Sequence, residues 1–263
     1  LKYEGRVTMV GNFSEAFAGI FSGLLAVYSL RLPFYAQSGI AFIGIPAAVA
    51  LTEHAAKTRI KNSFANIVQI IQYSLFTNKE LCYNIMFSGV IGAATLTMAW
   101  FVQPLLIELD TPTSWFGIIW TILNLTVGIS ALYSDKLDQR LGSLRMYTLI
   151  LFFIVGGYIA VAFNISYIGL VCLFFFYIVR GFATPILKGY INQITFSEMR
   201  ATVLSIRNFV IRLMFAAMAP LVGWLHDLYS LSIALQATAA IIFVPGLLFL
   251  ILQYRYKPRE TSL

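Results

Sequence analysis

A few ionisable side chains lie inside long apolar segments of this sequence, where they are best placed to do chemistry. Glu15 follows Arg6 by nine residues and Arg212 follows Arg200 by twelve, which corresponds to about 13 Å and 18 Å along a helix. Arg180 lies in the second half of another apolar segment. A charge in hydrocarbon costs about 2.5–3.5 kcal/mol on insertion scales, so it needs a partner or a water-filled cavity. We therefore predict that Glu15 and Arg212 face an interior cavity that binds a solute or an ion.

Uncharged polar residues within similar segments extend this candidate cavity, namely Asn124, Gln103 and Tyr177. Arg180 joins the same set, although its alternative role is structural, with the long side chain reaching the membrane surface as an anchor. Arg207 lies nearer the start of its segment, and we expect it at the membrane interface.

The sequence contains none of the usual enzyme signatures. It has no HExxH, no GxSxG and no glycine-rich phosphate loop with lysine, which are the motifs of metalloproteases, serine hydrolases and nucleotide hydrolases. Its two histidines and two cysteines show no metal-ligand spacing. A channel would show a polar ring or a filter loop, and neither is found. The sequence therefore predicts a protein that is not an enzyme and uses no cofactor, metal or ATP.

Eight apolar segments must position these residues. Hydrophobic residues make up 59% of the chain and charged residues 11%, whereas a soluble domain has about 25% charged residues. About 20 apolar residues cross a bilayer as a helix, and the segments are too continuously apolar for barrel strands. The predicted fold is an all-α polytopic membrane protein with eight transmembrane helices, at 8–30, 34–52, 83–107, 114–133, 145–163, 166–187, 202–225 and 231–253.

Lysine and arginine occur in alternate gaps between these segments, and this pattern predicts the orientation. They concentrate in 54–80, 134–144 and 188–200 and at both chain ends, while the other gaps hold few. Since basic residues favour the cytoplasmic side, we expect a multi-pass protein of the inner (plasma) membrane with both ends cytoplasmic. The net charge of +7 reflects this bias. The basic residues are scattered over short segments, so we expect no nucleic-acid partner.

The longest gap suggests the domain organisation. We predict two helices of an amino-terminal bundle in 1–53, a cytoplasmic linker in 54–82, a six-helix bundle in 83–254 and a tail in 255–263. Within the linker, five apolar residues share one helical face, which is typical of a helix lying on the membrane surface: Phe64, Ile67, Val68, Ile71 and Leu75. Residues 6–52 and 200–253 follow a similar plan, which indicates a six-span repeat or merely a shared membrane composition.

Short motifs in the gaps resemble those of the major facilitator superfamily. Residues 130–142 resemble its loop motif of glycine, three residues, aspartate and a basic residue, with Asp135 and Lys136 as the acidic–basic pair and Ala131 in place of the first glycine. Glu198 and Arg200 resemble the acidic-then-arginine start of the eleventh span. Residues 5–8 and 31–35 resemble the start of the fifth span and the turn into the sixth.

The resemblance covers the whole chain and implies spans five to twelve of a twelve-span transporter, so the first four helices of the same protein would be missing before residue 1. It implies alternating access of a small-molecule substrate, driven by an ion gradient (protons being one candidate) or a solute gradient, and a cytoplasmic gate formed by Asp135, Lys136, Glu198 and Arg200. The function expected is secondary active transport, as proton-coupled efflux of drugs or metabolites or, alternatively, as nutrient uptake. A receptor or membrane enzyme is the alternative of another class.

Overall fold

The computed structural model describes residues 1–29, 31–50 and 64–256, and every element within these ranges is a helix. In chain order the helices are α1 (Lys2–Tyr28), α2 (Leu32–Val49), α3 (Phe64–Gln72), a π-helical turn (Tyr73–Thr77), α4 (Lys79–Glu108), α5 (Thr113–Leu141), α6 (Ser143–Phe163), α7 (Tyr167–Gln193), α8 (Arg200–Leu228) and α9 (Leu231–Tyr256).

Six of these helices, α4 to α9, are long and apolar enough to cross a membrane in the described part of the chain. The all-helical membrane class predicted from composition is therefore confirmed. α1 and α2 form as helices where the first two spans were predicted, but they are not among those six. The count of eight spans stays a prediction.

Two predicted loops are partly helical, which corrects the boundaries drawn from hydropathy. α5 continues from the apolar segment through the charged residues to Leu141, and α7 continues to Gln193. Polar residues can remain helical once they leave the hydrocarbon, since water replaces lipid around them. Asp135 accepts a hydrogen bond from Gln139 one turn later, at 3.0 Å, which supports the extension. α5 ends where Gly142 takes a positive φ of 75°, a conformation that glycine adopts without strain.

The six spanning helices share one apolar core. α6 packs against α7 and α9, and α4 packs against α8 and α9. We call the end at which α4, α6 and α8 begin, and at which α5 and α7 finish, the basic end, because it carries Lys79, Arg140, Arg145, Lys188 and Arg200.

α1 lies antiparallel along α5, and this packing brings Glu15 to the six-helix bundle. The Ala16 carbonyl, in the middle of α1, accepts a hydrogen bond at 3.1 Å from Thr121 Oγ1, in the first third of α5. At the basic end Gly5 lies against the Ala131 carbonyl so closely that a Cβ there would be 2.5 Å from its oxygen. α2 contacts α1, and its side chains are mostly exposed.

The predicted amphipathic helix in the linker exists as α3, but much of the linker lies outside the described residues, including Lys57, Arg59 and Lys61. Ile67, Val68 and Ile71 of the predicted apolar face are exposed, as a face turned to lipid would be. Ile70 and Leu75 instead pack against a small apolar cluster between α4, α7 and α8. The tail from 257 onward lies outside the described residues, and the domain boundaries stay predictions.

Candidate functional site

A layer of polar side chains lies near mid-depth, where α1, α5 and α7 meet. α5 and α7 run in the same direction, and a Cβ on Gly181 of α7 would meet Val127 and Ser130 of α5. Tyr177 and Asn124 each precede those contacts by about one turn, so they share a depth. Glu15 is next to Ala16, whose carbonyl binds Thr121, and it therefore reaches the same layer from α1.

Several polar atoms in this layer are buried without a hydrogen-bond partner among the described residues. They are the hydroxyl of Tyr177, Oδ1 of Asn124 and Nη1 of Arg180; the Tyr177 hydroxyl and the Arg180 guanidinium are nevertheless close enough to interact with each other. Tyr177 and Asn124 are fully buried, and the amide of Asn124 binds only the Trp120 carbonyl of its own helix, at 3.0 Å. Buried polar groups nearly always have partners, so this layer has unused binding capacity.

Two charges of opposite sign act on this layer. The guanidinium of Arg180 lies over the ring of Tyr177, 5.2 Å from its centroid, and both Arg180 and Glu15 interact electrostatically with the Tyr177 hydroxyl. Glu15 itself is exposed, and Arg180 is partly buried. The structure thus brings together four of the six residues predicted to line a cavity: Glu15, Asn124, Tyr177 and Arg180.

Arg212 and Gln103 lie outside this cluster. Arg212 is exposed on α8, whose neighbouring residues Val210 and Ile211 pack beside Gly89 and Gly92 of α4. Gln103 is exposed on α4 and lies more than two turns further from the basic end than Gly92. Their role in a cavity stays a prediction.

At the basic end, α1 and α7 are joined by an ion pair that the sequence did not suggest. Lys188 Nζ lies 3.3 Å from Glu4 Oε2, and Asn192 donates to the other carboxylate oxygen at 3.1 Å. Leu1 packs beside Gly189 at the same level. Glu4 and Lys188 appear near helix ends, where charges are ordinary, so only the packing of α1 on α7 shows that they pair.

The four residues predicted to form a gate also lie at the basic end, but they are not joined there. Asp135 binds Gln139 of its own helix, and Lys136 lies over the ring of Tyr133, 5.8 Å from the centroid. Arg200 donates to the carbonyls of Asn192 and Thr195, at 3.2 and 3.5 Å. Glu198 is exposed. Among the described residues no ion pair links Asp135 to Arg200, so the gate stays a prediction.

The sequence did not predict a hydrogen-bonded network that lies inside the six-helix bundle. The hydroxyl of Tyr190 donates to Asp138, and the hydroxyl of Tyr147 donates to Asn84, while the two tyrosine rings lie 5.0 Å apart. The network borders a cavity of about 70 Å³ that also contacts Glu80, Gln193 and Gln253. Its members come from four helices, so no local spacing in the sequence reveals it.

Arg207 is buried, which corrects its predicted interfacial position. Its Nε donates to the Ser88 hydroxyl of α4, and its Nη1 donates to Asn208 at 3.3 Å. The side chain points towards α4 because α8 packs against α4 along this stretch, so burial decides its environment rather than its distance from the helix end.

An α-helical membrane bundle with charged and polar groups at mid-depth is typical of solute transporters. The sequence model of the Major Facilitator Superfamily matches residues 2–213, so this chain belongs to the Major Facilitator Superfamily. The match confirms the resemblance seen in the loop motifs, and that superfamily consists of transporters rather than enzymes. A comparison with curated proteins gives no match. In the described residues no group of three histidine, cysteine or acidic side chains is placed to hold a metal.

Proposed function

We propose that this protein is a secondary active transporter that moves a small solute by alternating access, as proton-coupled efflux of a drug or metabolite. Uptake by the same fold is the alternative direction. One arrangement carries the proposal: the polar layer on α7 lies about 12–17 Å along the helix from an ion pair that joins α7 to α1 at the basic end. Alternating access requires a binding site and, on one side of it, a contact between helices that can open and close.

The role proposed for Glu15 is to take up and release a proton. Its carboxylate lies on α1, is exposed and interacts electrostatically with the Tyr177 hydroxyl. Protonation would remove its charge from an apolar depth, and this would change the relative free energies of two conformations that expose Glu15 differently. Arg212 and Gln103 would contact the solute or ion from α8 and α4.

We also propose that α1 and α2 cross the membrane, giving eight spans, and that the basic end is cytoplasmic in the inner (plasma) membrane. The concentration of lysine and arginine at that end supports this orientation. On this view the cytoplasmic gate contains Asp135, Lys136, Glu198 and Arg200. In one of the two conformations Asp135 gives up its hydrogen bond with Gln139 and pairs with Arg200.

The experiment is a substrate panel assayed for uptake and efflux in proteoliposomes that contain the full-length protein, with a proton uncoupler as control. Accumulation that the uncoupler abolishes supports the proposal. Glu15→Gln should lose gradient-driven accumulation but retain exchange, because an amide cannot release a proton. Glu108→Gln removes an exposed carboxylate at the end of α4 and serves as the matched control.

Two results would count against the proposal. If the wild-type protein moves no member of a broad panel in either direction, the transport function is wrong. If Glu15→Gln still accumulates substrate against a gradient as the wild type does, transport stands but Glu15 does not couple it to protons.

A further inference from the structure

The polar layer between α1, α5 and α7 has a distribution of unused donors and acceptors that defines what it can bind. On α7, Nη1 of Arg180 and the hydroxyl of Tyr177 have no partner at hydrogen-bond geometry among the described residues, although the hydroxyl and the guanidinium are close enough to interact with each other. On α5, Oδ1 of Asn124 is an acceptor that also lacks one. The two α7 groups offer positive charge and a hydroxyl, whereas the α5 group offers only a lone pair.

From this distribution we propose that the substrate is a small monocarboxylate that also carries a hydrogen-bond donor, such as a hydroxyl or an ammonium group. The carboxylate binds Nη1 of Arg180 and the hydroxyl of Tyr177, and the donor group binds Oδ1 of Asn124. This inference rests on the proposed transport function and adds the substrate class to it.

Arg180 is the reason for assigning an anion. It forms no ion pair among the described residues, and its contact with the ring of Tyr177 leaves Nη1 buried without an acceptor. A guanidinium at this depth is stabilised by an anion with which it forms a charge-assisted hydrogen bond. A hydroxyl one turn away on the same helix face can donate to the same carboxylate.

Glu15 limits the charge of that anion. Its carboxylate interacts electrostatically with the same Tyr177 hydroxyl, so a dianion such as a phosphate monoester would be repelled more strongly than a monoanion. An ammonium group on the substrate would be attracted to Glu15 as well as to Asn124. The site therefore favours a single negative charge with a neutral or positive donor nearby.

Entry requires α1 to move. The three unpartnered atoms are buried while α1 lies along α5 and joins α7 through Glu4 and Lys188. Separation of α1 from α7 would open the layer next to Glu15, whose side chain is already exposed. Substrate binding and the movement of α1 are thereby linked in one region of the protein.

The test uses four compounds of similar size with the purified full-length protein. Lactate and alanine carry both a carboxylate and a donor, propionate lacks the donor, and lactamide lacks the carboxylate. Binding is measured by thermal stabilisation in detergent, independently of transport, which is measured in proteoliposomes. We expect stabilisation by lactate or alanine, weaker stabilisation by propionate and none by lactamide.

Variants then assign the contacts. Arg180→Gln should weaken carboxylate binding about ten- to hundredfold and Tyr177→Phe about fivefold, from the usual contributions of charged and neutral hydrogen bonds. Arg180→Lys keeps the charge and should retain part of the binding, which guards against misfolding of the glutamine variant. Arg145→Gln and Tyr167→Phe change exposed residues of the same types away from the layer and should bind as the wild type does.

The outcomes separate this inference from the proposed function. Transport of lactamide or another neutral solute, unchanged in Arg180→Gln, would overturn the substrate class while transport stands. Carboxylate-dependent stabilisation without any transport would leave the site in place and contradict the transport function. Equal stabilisation by all four compounds would overturn the inference. So would a loss of carboxylate binding in the Arg145→Gln control as large as that in Arg180→Gln.

Discussion

Replacing Gly5 by alanine should loosen the basic end between α1 and α5. Gly5 is buried, and a Cβ at this position would be 2.5 Å from the Ala131 carbonyl oxygen and 3.2 Å from Ser134 Oγ. Ordinary contact begins at 3.4 Å, so the first distance is short by 3.4 − 2.5 = 0.9 Å. Because the atom met is backbone, the helices must separate, and this would also lengthen the neighbouring contact between Glu4 and Lys188.

The size of the effect follows from two terms. Overpacking of this kind costs about 1–3 kcal/mol, whereas alanine favours a helix over glycine by about 1 kcal/mol. α1 stays helical whether or not it is packed on α5, so the propensity term cancels between the two conformations and only the clash remains. The packed conformation should become less populated by about 5- to 150-fold.

The assay measures access to a cysteine behind the Glu4–Lys188 contact. Thr184→Cys lies one turn from Lys188 towards the polar layer, and it would be introduced in a background without Cys82 and Cys172. Gly5→Ala should raise its labelling rate by an impermeant thiol reagent added at the basic end. Gly11→Ala is the control, since a Cβ there meets no atom within 4 Å.

The two alanine variants test whether the clash at residue 5 separates α1 from α5. Unchanged labelling in a Gly5→Ala protein whose melting temperature is near that of the wild type would refute this. An equal rise in Gly11→Ala would show that the change acts through helix propensity rather than through the clash.

Two further predictions concern stability and orientation. Tyr190→Phe removes the hydrogen bond to Asp138 and should lower the unfolding free energy by about 1–3 kcal/mol, since a partly buried carboxylate loses its donor. Chemical denaturation should show this, with Tyr167→Phe, which alters an exposed ring, as control. A cysteine that replaces Gln139, which is exposed at the basic end, should resist an impermeant thiol reagent in intact cells and react with it in inverted vesicles. Labelling in intact cells would place the basic end outside.

The class of the protein and the expected depth of its unusual residues could be predicted from the chain alone, because both depend on local properties. A helix rises by a fixed amount per residue, so the positions of Glu15, Tyr177 and Asn124 along their segments placed them near mid-membrane before any packing was known. Loop motifs around Asp135 and Arg200 indicated the superfamily that the family match confirms. Hydropathy gave the helix ends less well, since α5 and α7 continue as helices beyond the apolar segments.

Tertiary structure decided which of these residues meet. Helical periodicity gives the depth of a side chain, but the rotation of each helix and the identity of its neighbours depend on packing across the whole bundle. Arg212 and Glu15 looked equivalent in sequence, yet only Glu15 joins the layer that contains Arg180. Glu4 pairs with Lys188, which lies 184 residues later, and Arg207 is buried rather than interfacial, because both depend on which helices α1 and α8 pack against.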